Sequence, residues 1–452
     1  MMLKTLNYPN GLKGKLWKLT GPIFLEILLM MTLGVVDTLM LSHYSDDAVA
    51  AAGVVNQLLN MVFLLFNVTA VGTSVMCALY FGAKDTKSFT QVIGVSLLFN
   101  SLVGIIISLL LTAGGKQMLV WMDIRPNLMP MAVIYMKIVG GFGFFQAISF
   151  TVSAVLRAAN KPNYAMQVTL FINVVNVIGN YSLIYGHFGL PALGVEGAAI
   201  STSISRGLGM TFLFVVLFKR LVHSIPLSYF RPFPWTKLRD VLKVGLPSAA
   251  EQISYDASQV CVVYFINMLG NEVLTARIYI MNIVTIGYIF SLAMASATSV
   301  CTGNLVGAGH KQAAYVLSWY AWKRSLMVTF VASTGVYLCG RFLLGCFTSN
   351  VNIIQIAMSA LLVDVFLEHG RATVLMFLFC LRSVGDVVVP VLIEIVCMWV
   401  FAVCFGYFFG IVLGLGLAGI WVGLALDESS RGIVLGLRWS TQKWKKRNLV
   451  RK

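Results

Sequence analysis

Long apolar runs, parted by short polar breaks, continue from one end of this chain to the other. They occupy residues 19–42, 50–80, 91–113, 128–156, 163–186, 195–218, 241–268, 273–300, 324–345, 351–379, 387–409 and 411–436. A helix needs roughly 20 apolar residues to cross the hydrocarbon core of a bilayer. Twelve runs of this length therefore specify twelve transmembrane helices. Only 11% of the 452 residues are charged, against about 25% in a soluble domain. That excludes an ordinary soluble enzyme, a disordered chain and a disulfide scaffold. The fold expected is an all-α integral membrane protein.

The formal net charge is +16. In a soluble chain it would raise the question of nucleic acid, but here the basic residues lie between the apolar runs. They read as topology signals that hold loops in the cytoplasm, and no nucleic-acid partner is expected. One side collects Lys4, Lys13, Lys15 and Lys18, then Lys84 and Lys87, Arg157 and Lys161, Lys219, Arg220, Arg231, Lys237 and Arg239. The same side takes Lys311, Lys323, Arg324, Arg382 and the tail. The other side keeps Lys116, Arg125 and Arg341. Both termini are then cytoplasmic, which needs an even number of spans. No cleavable signal is expected in Met1 to Lys18, because the first apolar run continues past any cleavage site.

The longest polar break, with Pro226, Pro232 and Pro234, falls at mid-chain, and the sequence repeats across it. Pro22 with Glu26 corresponds to Pro247 with Glu251, Gly82-Ala83 to Gly307-Ala308, and Leu156-Arg157 to Leu381-Arg382. Ser205-Arg206-Gly207 corresponds to Ser430-Arg431-Gly432, all at one offset of 225 residues. Six spans per half is an even number, so the halves share one orientation and are related by a pseudo-twofold axis along the membrane normal. The expected organisation is a first lobe at 1–220, a cytoplasmic linker at 221–240, a second lobe at 241–440 and a basic tail at 441–452. The tail reads as a topology and lipid-headgroup anchor.

A charge at the centre of a membrane helix costs about 2.5–3.5 kcal/mol on insertion scales, so such residues are candidates for function. Glu26 and Asp37 in span 1 are three turns apart on one face, roughly 16 Å along the axis. Asp37 reads as a cation-binding carboxylate or as an interfacial acid. Asn56, Asn60 and Asn67 line one face of span 2, and Asn173, Asn176 and Asn180 one face of span 5. Such amide stripes either complete an ion site or pack helices together. Span 7 is polar on two faces, with Glu251, Ser254 and Ser258 on one and Gln252, Asp256 and Gln259 on the other. In span 10, Glu368 and Arg371 have the spacing of an in-helix pair. Asp364 then lacks a partner within the helix. That group carries either substrate or protons, or is a buried ion network holding the lobe together. Lys137, Arg277 and Glu394 are further intramembrane charges without an assigned role.

Several signals carry no chemistry. Gly414, Gly416 and Gly419 spell G-x-G-x-x-G, but a dinucleotide site needs a strand before the turn, and here an apolar run follows. They read as helix-start or packing glycines. No Walker-type phosphate loop occurs, so no ATP site of its own is expected and coupling to an ion gradient is favoured. The eight cysteines have no C-x-x-C spacing, and no metal site or cofactor is expected.

With these residues in view, the chain resembles the multidrug and toxic compound extrusion (MATE) family, of the multidrug/oligosaccharidyl-lipid/polysaccharide exporter superfamily, over roughly residues 16–445. The resemblance rests on Pro22 through Val35-Val36-Asp37 and on Phe81-Gly82-Ala83-Lys84-Asp85. It rests also on Asn173-x-x-Asn176-x-x-x-Asn180-Tyr181, on Leu193 through Ala199 followed by Thr202, and on Gly245-Leu246-Pro247 with Glu251. Glu368-x-Gly370-Arg371 and Leu381-Arg382-x-x-Gly385-Asp386 complete it. The resemblance implies a non-enzymatic, multi-pass plasma-membrane protein, monomeric, that exports organic, cationic and aromatic compounds in exchange for Na⁺ or H⁺. It implies ion-binding roles for Asp37, Asn176, Asn180 and Thr202. Asn180 stands where many members have a second acid. In the second lobe it implies substrate or ion roles for Glu251 and for Asp364 or Glu368; Asp256 and Arg371 join these as candidates. The alternative is a flippase or exporter of a lipid-linked or other endogenous compound from the same superfamily.

Overall fold

The computed structural model describes residues 11–222 and 224–446, without the side chains of Leu227 and Ile286. Lys4 and the tail residues 447–452 lie outside the described residues. Among the described residues there is no strand, and twelve long helical segments follow one another. They are α1 (Gly11–Ser42), α2 (Asp46–Gly82), α3 (Thr86–Trp121), α4 (Met129–Gly140 and Phe144–Ala158, bent by 44° at the break) and α5 (Pro162–Tyr185). Then come α6 (Val195–Arg220), α7 (Trp235–Met268), α8 (Asn271–Gly307), α9 (Lys311–Leu338), α10 (Val351–Ser383), α11 (Val388–Val412) and α12 (Gly416–Ser440). Each apolar run of the sequence lies within or largely overlaps one of them.

Among the described residues, eight helices are long and apolar enough to cross a membrane, or nine with the bent α4 as one span. The three others, α7, α9 and α12, carry polar residues that shorten their apolar stretch. These are Glu251 to Gln259 in α7, Lys323-Arg324 in α9, and Asp427-Glu428 with Arg431 in α12. Helix α9 begins at Lys311, well before the apolar run at 324, because the polar turns ahead of the run are helical as well.

The chain divides into two compact units. The N-terminal unit is residues 25–245. The C-terminal unit is residues 246–452 together with 1–24. The division therefore falls inside α1 and α7 rather than in the linker, and close backbone packing is the reason. In the N-terminal unit a Cβ on Gly72 of α2 would lie 2.1 Å from the Val241 carbonyl oxygen, and one on Gly245 2.1 Å from that of Val68. Only glycine lets the start of α7 lie this close to α2. The C-terminal unit repeats the arrangement: Thr20 of α1 donates to Met294 Sδ of α8 at 3.5 Å, beside buried Ala293 and Ala297. Each unit has its own apolar core, one around Val55, Leu59, Phe66 and Met136, the other around Ile266, Ile280, Leu361 and Trp421.

The break at 221–240 is shorter than expected, since α7 already begins at Trp235. Before it, a single turn, Leu227–Phe230, packs on α3. Gln91 donates to the Tyr229 carbonyl at 3.2 Å, and Gly94 leaves room for the Phe230 ring. The described part of the tail also docks. Trp444 is buried and stacks on Trp439 at 4.4 Å, and Lys445 reaches Gln312 and Gln442 at 2.6 Å. Gly414 and Gly416 have positive φ in the turn before α12, and a Cβ on Gly419 would meet the Phe409 carbonyl at 2.5 Å. The glycine motif thus makes a helix start and a close packing contact.

Candidate functional site

The amide stripe of α5 organises the N-terminal unit. Helices α5 and α6 approach closely because Gly179 faces Ser201 and Gly197 faces the Leu183 backbone; a Cβ on either would meet atoms at 2.4 Å. This approach lets Asn176 Nδ2 donate to Thr202 Oγ1 at 3.3 Å and Ser201 Oγ donate to the Asn176 carbonyl at 3.0 Å. One turn later Asn180 Nδ2 is shared between Asn176 Oδ1 at 3.0 Å and Asp37 Oδ1 at 2.6 Å. Helix α1 is held beside the stripe by Asn173, which donates to the Leu29 carbonyl at 2.8 Å, and by Tyr185, which donates to that of Met40 at 2.6 Å. The stripe thus has two jobs: Asn173 fixes a helix, while Asn176 and Asn180 join Asp37 to Thr202.

The four residues expected to bind an ion are therefore one continuous hydrogen-bonded chain. Asn176, Asn180 and Thr202 are buried, and Asp37 is partly exposed. Asn180 Oδ1 is buried without a hydrogen-bond partner among the described residues. An unsatisfied buried oxygen beside a carboxylate is suited to a cation. Two further pairs of side chains stand at this site. Tyr135 of α4 donates to Asn56 of α2 at 3.5 Å, and Arg206 of α6 lies over the Phe63 ring at 5.3 Å. Sequence reasoning used Arg206 as a repeat marker and did not count it among the site residues. Its position one turn after Thr202 was the signal that could have found it.

The C-terminal unit holds a second charged cluster. Asp364 accepts from Trp421 Nε1 at 3.1 Å, and Glu368 pairs with Arg371 as their spacing predicts. Arg371 also reaches Glu428 at 3.5 Å. Arg431 meets Asp427 at 2.6 Å, Glu428 at 3.1 Å and Glu394 at 3.8 Å. Four buried carboxylates, Glu368, Glu394, Asp427 and Glu428, thus share two arginines beside buried Asp364, and Glu368 Oε2, Glu394 Oε1 and Asp427 Oδ1 have no hydrogen-bond partner among the described residues. Asp427 and Glu428 are not among the residues read from the sequence and Arg431 is there only a repeat marker, although the two acids stand four and three residues before that arginine on one helix. Two expected members stand apart. Glu251 is paired with Arg382, and exposed Asp256 accepts from Gln252 of its own helix at 3.0 Å.

Comparison with known proteins agrees with this architecture. The MatE family profile matches residues 22–182 and 247–408, two stretches that begin 225 residues apart. The uncharacterized transporter YisQ of Bacillus subtilis (strain 168) is 36% identical over 97% of this chain and 96% of its own length. The probable multidrug resistance protein NorM of Thermotoga maritima is 26% identical over 97% of the chain and 94% of its own. The crystal structure of a MATE protein in its bent conformation superposes with a TM-score of 0.88 at 22% identity, covering 95% of each chain. At that identity the likeness shows the fold. With both of its halves matched by the profile, this chain belongs to the MatE family of membrane transporters.

Proposed function

We propose that the chain is a secondary antiporter that exports organic, cationic and aromatic compounds in exchange for Na⁺ or H⁺, with Asp37 as the ion-carrying group. The observation that carries this reading is the chain Asp37–Asn180–Asn176–Thr202, with the unpartnered Asn180 Oδ1 beside the carboxylate. An external cation binds at Asp37 and stabilises one transport state over the other. Only unequal affinity for the two states lets the ion drive export. Its release to the cytoplasm resets the cycle. The substrate or a second ion is taken by the acid-rich cluster of Asp364, Glu368, Glu394, Asp427 and Glu428, with Arg371 and Arg431. The excess of carboxylate over guanidinium there attracts cations. Glu251 and Asp256 stand outside that cluster, Glu251 as the counter-ion of Arg382. The family setting and the multidrug resistance relatives support export from the plasma membrane, with both termini cytoplasmic and a monomer as the working unit.

The test is efflux of ethidium from proteoliposomes under an imposed Na⁺ gradient and then under a pH gradient. Efflux is expected under one of them and is lost in Asp37→Asn. Gradient-driven efflux that survives in Asp37→Asn refutes the role of Asp37. No efflux under either gradient, with movement of a lipid-linked oligosaccharide instead, refutes drug export.

A further inference from the structure

The repeat aligns α6 with α12, and the alignment exposes a difference in charge. Thr202, Ser203 and Arg206 correspond to Asp427, Glu428 and Arg431, 225 residues later. In the C-terminal unit the arginine meets acids of its own helix, Asp427 at 2.6 Å and Glu428 at 3.1 Å, with Glu394 of α11 beyond them at 3.8 Å. In the N-terminal unit the same two helix positions hold neutral hydroxyls. Arg206 therefore has no acid at either of those steps. Its guanidinium lies over Phe63, and its Nη1 is buried with no hydrogen-bond partner among the described residues. It stands one turn after Thr202, at the end of the hydrogen-bonded chain through Asn176 and Asn180 to Asp37, with Asp37 and Tyr135 within electrostatic reach. The groups gathered around Asp37 are Asn176 and Asn180 from α5, Thr202 and Arg206 from α6, and Tyr135 from α4, which is tied to Asn56 of α2. Of these, Arg206 alone is charged, and Tyr135 is the other titratable group.

We propose that Arg206 is a resident counter-cation that competes with the coupling ion for Asp37. The inference rests on the reading of Asp37 as the ion-carrying group. With no ion bound, Asp37 and Arg206 leave the site neutral, so the empty site returns through the cycle without an uncompensated buried charge, which is costly in low dielectric. With an ion bound, the guanidinium repels it. A unit charge at about 5–10 Å and an effective dielectric of about 20 changes cation affinity by roughly tenfold or more. Arg206 thereby keeps ion binding weak enough for release. It is a positioning residue: it acts on the ion through Asp37.

Ion binding to the folded state stabilises it by RT ln(1 + c/Kd) at ion concentration c and so raises the unfolding temperature, which gives a test that needs no substrate. Detergent-purified protein is titrated with NaCl against choline chloride at constant ionic strength and, without Na⁺, with acid. The response of Asp37→Asn is subtracted to isolate the site. In Arg206→Gln the ion concentration needed for a given rise in unfolding temperature is expected to fall about tenfold, and Arg206→Lys returns it towards the wild type. Arg206→Met, which keeps the apolar stem over Phe63, is the second variant should the glutamine protein not fold, and the same fall is expected. An unchanged or weakened ion response in these variants overturns the proposal, because loss of affinity is what a merely structural arginine would give. If Asp37→Asn keeps the wild-type response, or the wild type responds to neither ion, the Asp37 reading falls and the proposal with it.

Discussion

Glu26 meets Arg157 at 2.6 Å in the N-terminal unit, and Glu251 meets Arg382 in the C-terminal unit. Both acids and both arginines were repeat markers in the sequence at the same offset of 225, so one ion pair occurs twice. Glu26 is 4% exposed. Removing one partner of a buried pair leaves an uncompensated charge and costs about 3–5 kcal/mol. Glu26→Ala and Glu251→Ala are expected to lower stability by similar amounts, read from unfolding temperature in detergent. A neutral result in either would mean that its arginine finds another acid. The same residue scale marks where sequence reading stopped. That Asp37, Asn176 and Asn180 stand together was legible from helical spacing with the family resemblance, and that Thr202 joins them from the resemblance alone. Arg206 and Arg431 were read only as repeat markers, and the meeting of Glu428 with Arg371 and of Arg431 with Glu394 depends on which helix faces meet, which is a tertiary fact.

Among the elements, the twelve helical segments were legible from the apolar runs, though polar residues shorten the apolar stretch of α7, α9 and α12, and their edges shift where polar turns remain helical, as in α9. What apolar length does not reveal is the exchange of helix starts: α1 begins in the C-terminal unit and α7 in the N-terminal unit. Gly72→Ala places a methyl group against the Val241 backbone, which no rotamer change relieves. It is expected to cost about 1–3 kcal/mol as overpacking does. Gly34→Ala in α1 enters open space and should change stability by less than about 1 kcal/mol. Equal effects of the two would contradict the close α2–α7 contact. Outside the membrane, Asp85 caps α3 by accepting from the Ser88 N–H at 3.0 Å. Burial alone would raise its carboxyl, but hydrogen bonds from Ser88 and the charges of Lys237 and Lys87 outweigh burial and hold it below the usual carboxylate range. A carboxylate held low contributes above its unfolded pKa, and the contribution is lost as pH falls through its folded value. Asp85→Ala should therefore cost about 1 kcal/mol at neutral pH and converge on the wild type in strong acid. A penalty that persists there would contradict the ionised cap.

At the scale of the whole molecule, duplication supplies the frame and divergence supplies the chemistry. The two halves share helix order and the Glu–Arg pair, yet one carries a single acid with an amide chain and the other an acid-rich cluster. On the proposed reading, the amide chain beside Asp37 takes the ion and the acid-rich cluster takes the substrate. Thermodynamic linkage makes that exchange reciprocal: if the ion drives the substrate, the substrate must drive the ion. Proteoliposomes holding the protein, with no Na⁺ or pH gradient, are therefore given an ethidium gradient while internal Na⁺ and pH are followed. Antiport through Asp37 predicts movement of one of the two ions against the dye, absent in Asp37→Asn. Dye movement with no counter-moving ion, or with an ion moving in the same direction, would contradict it.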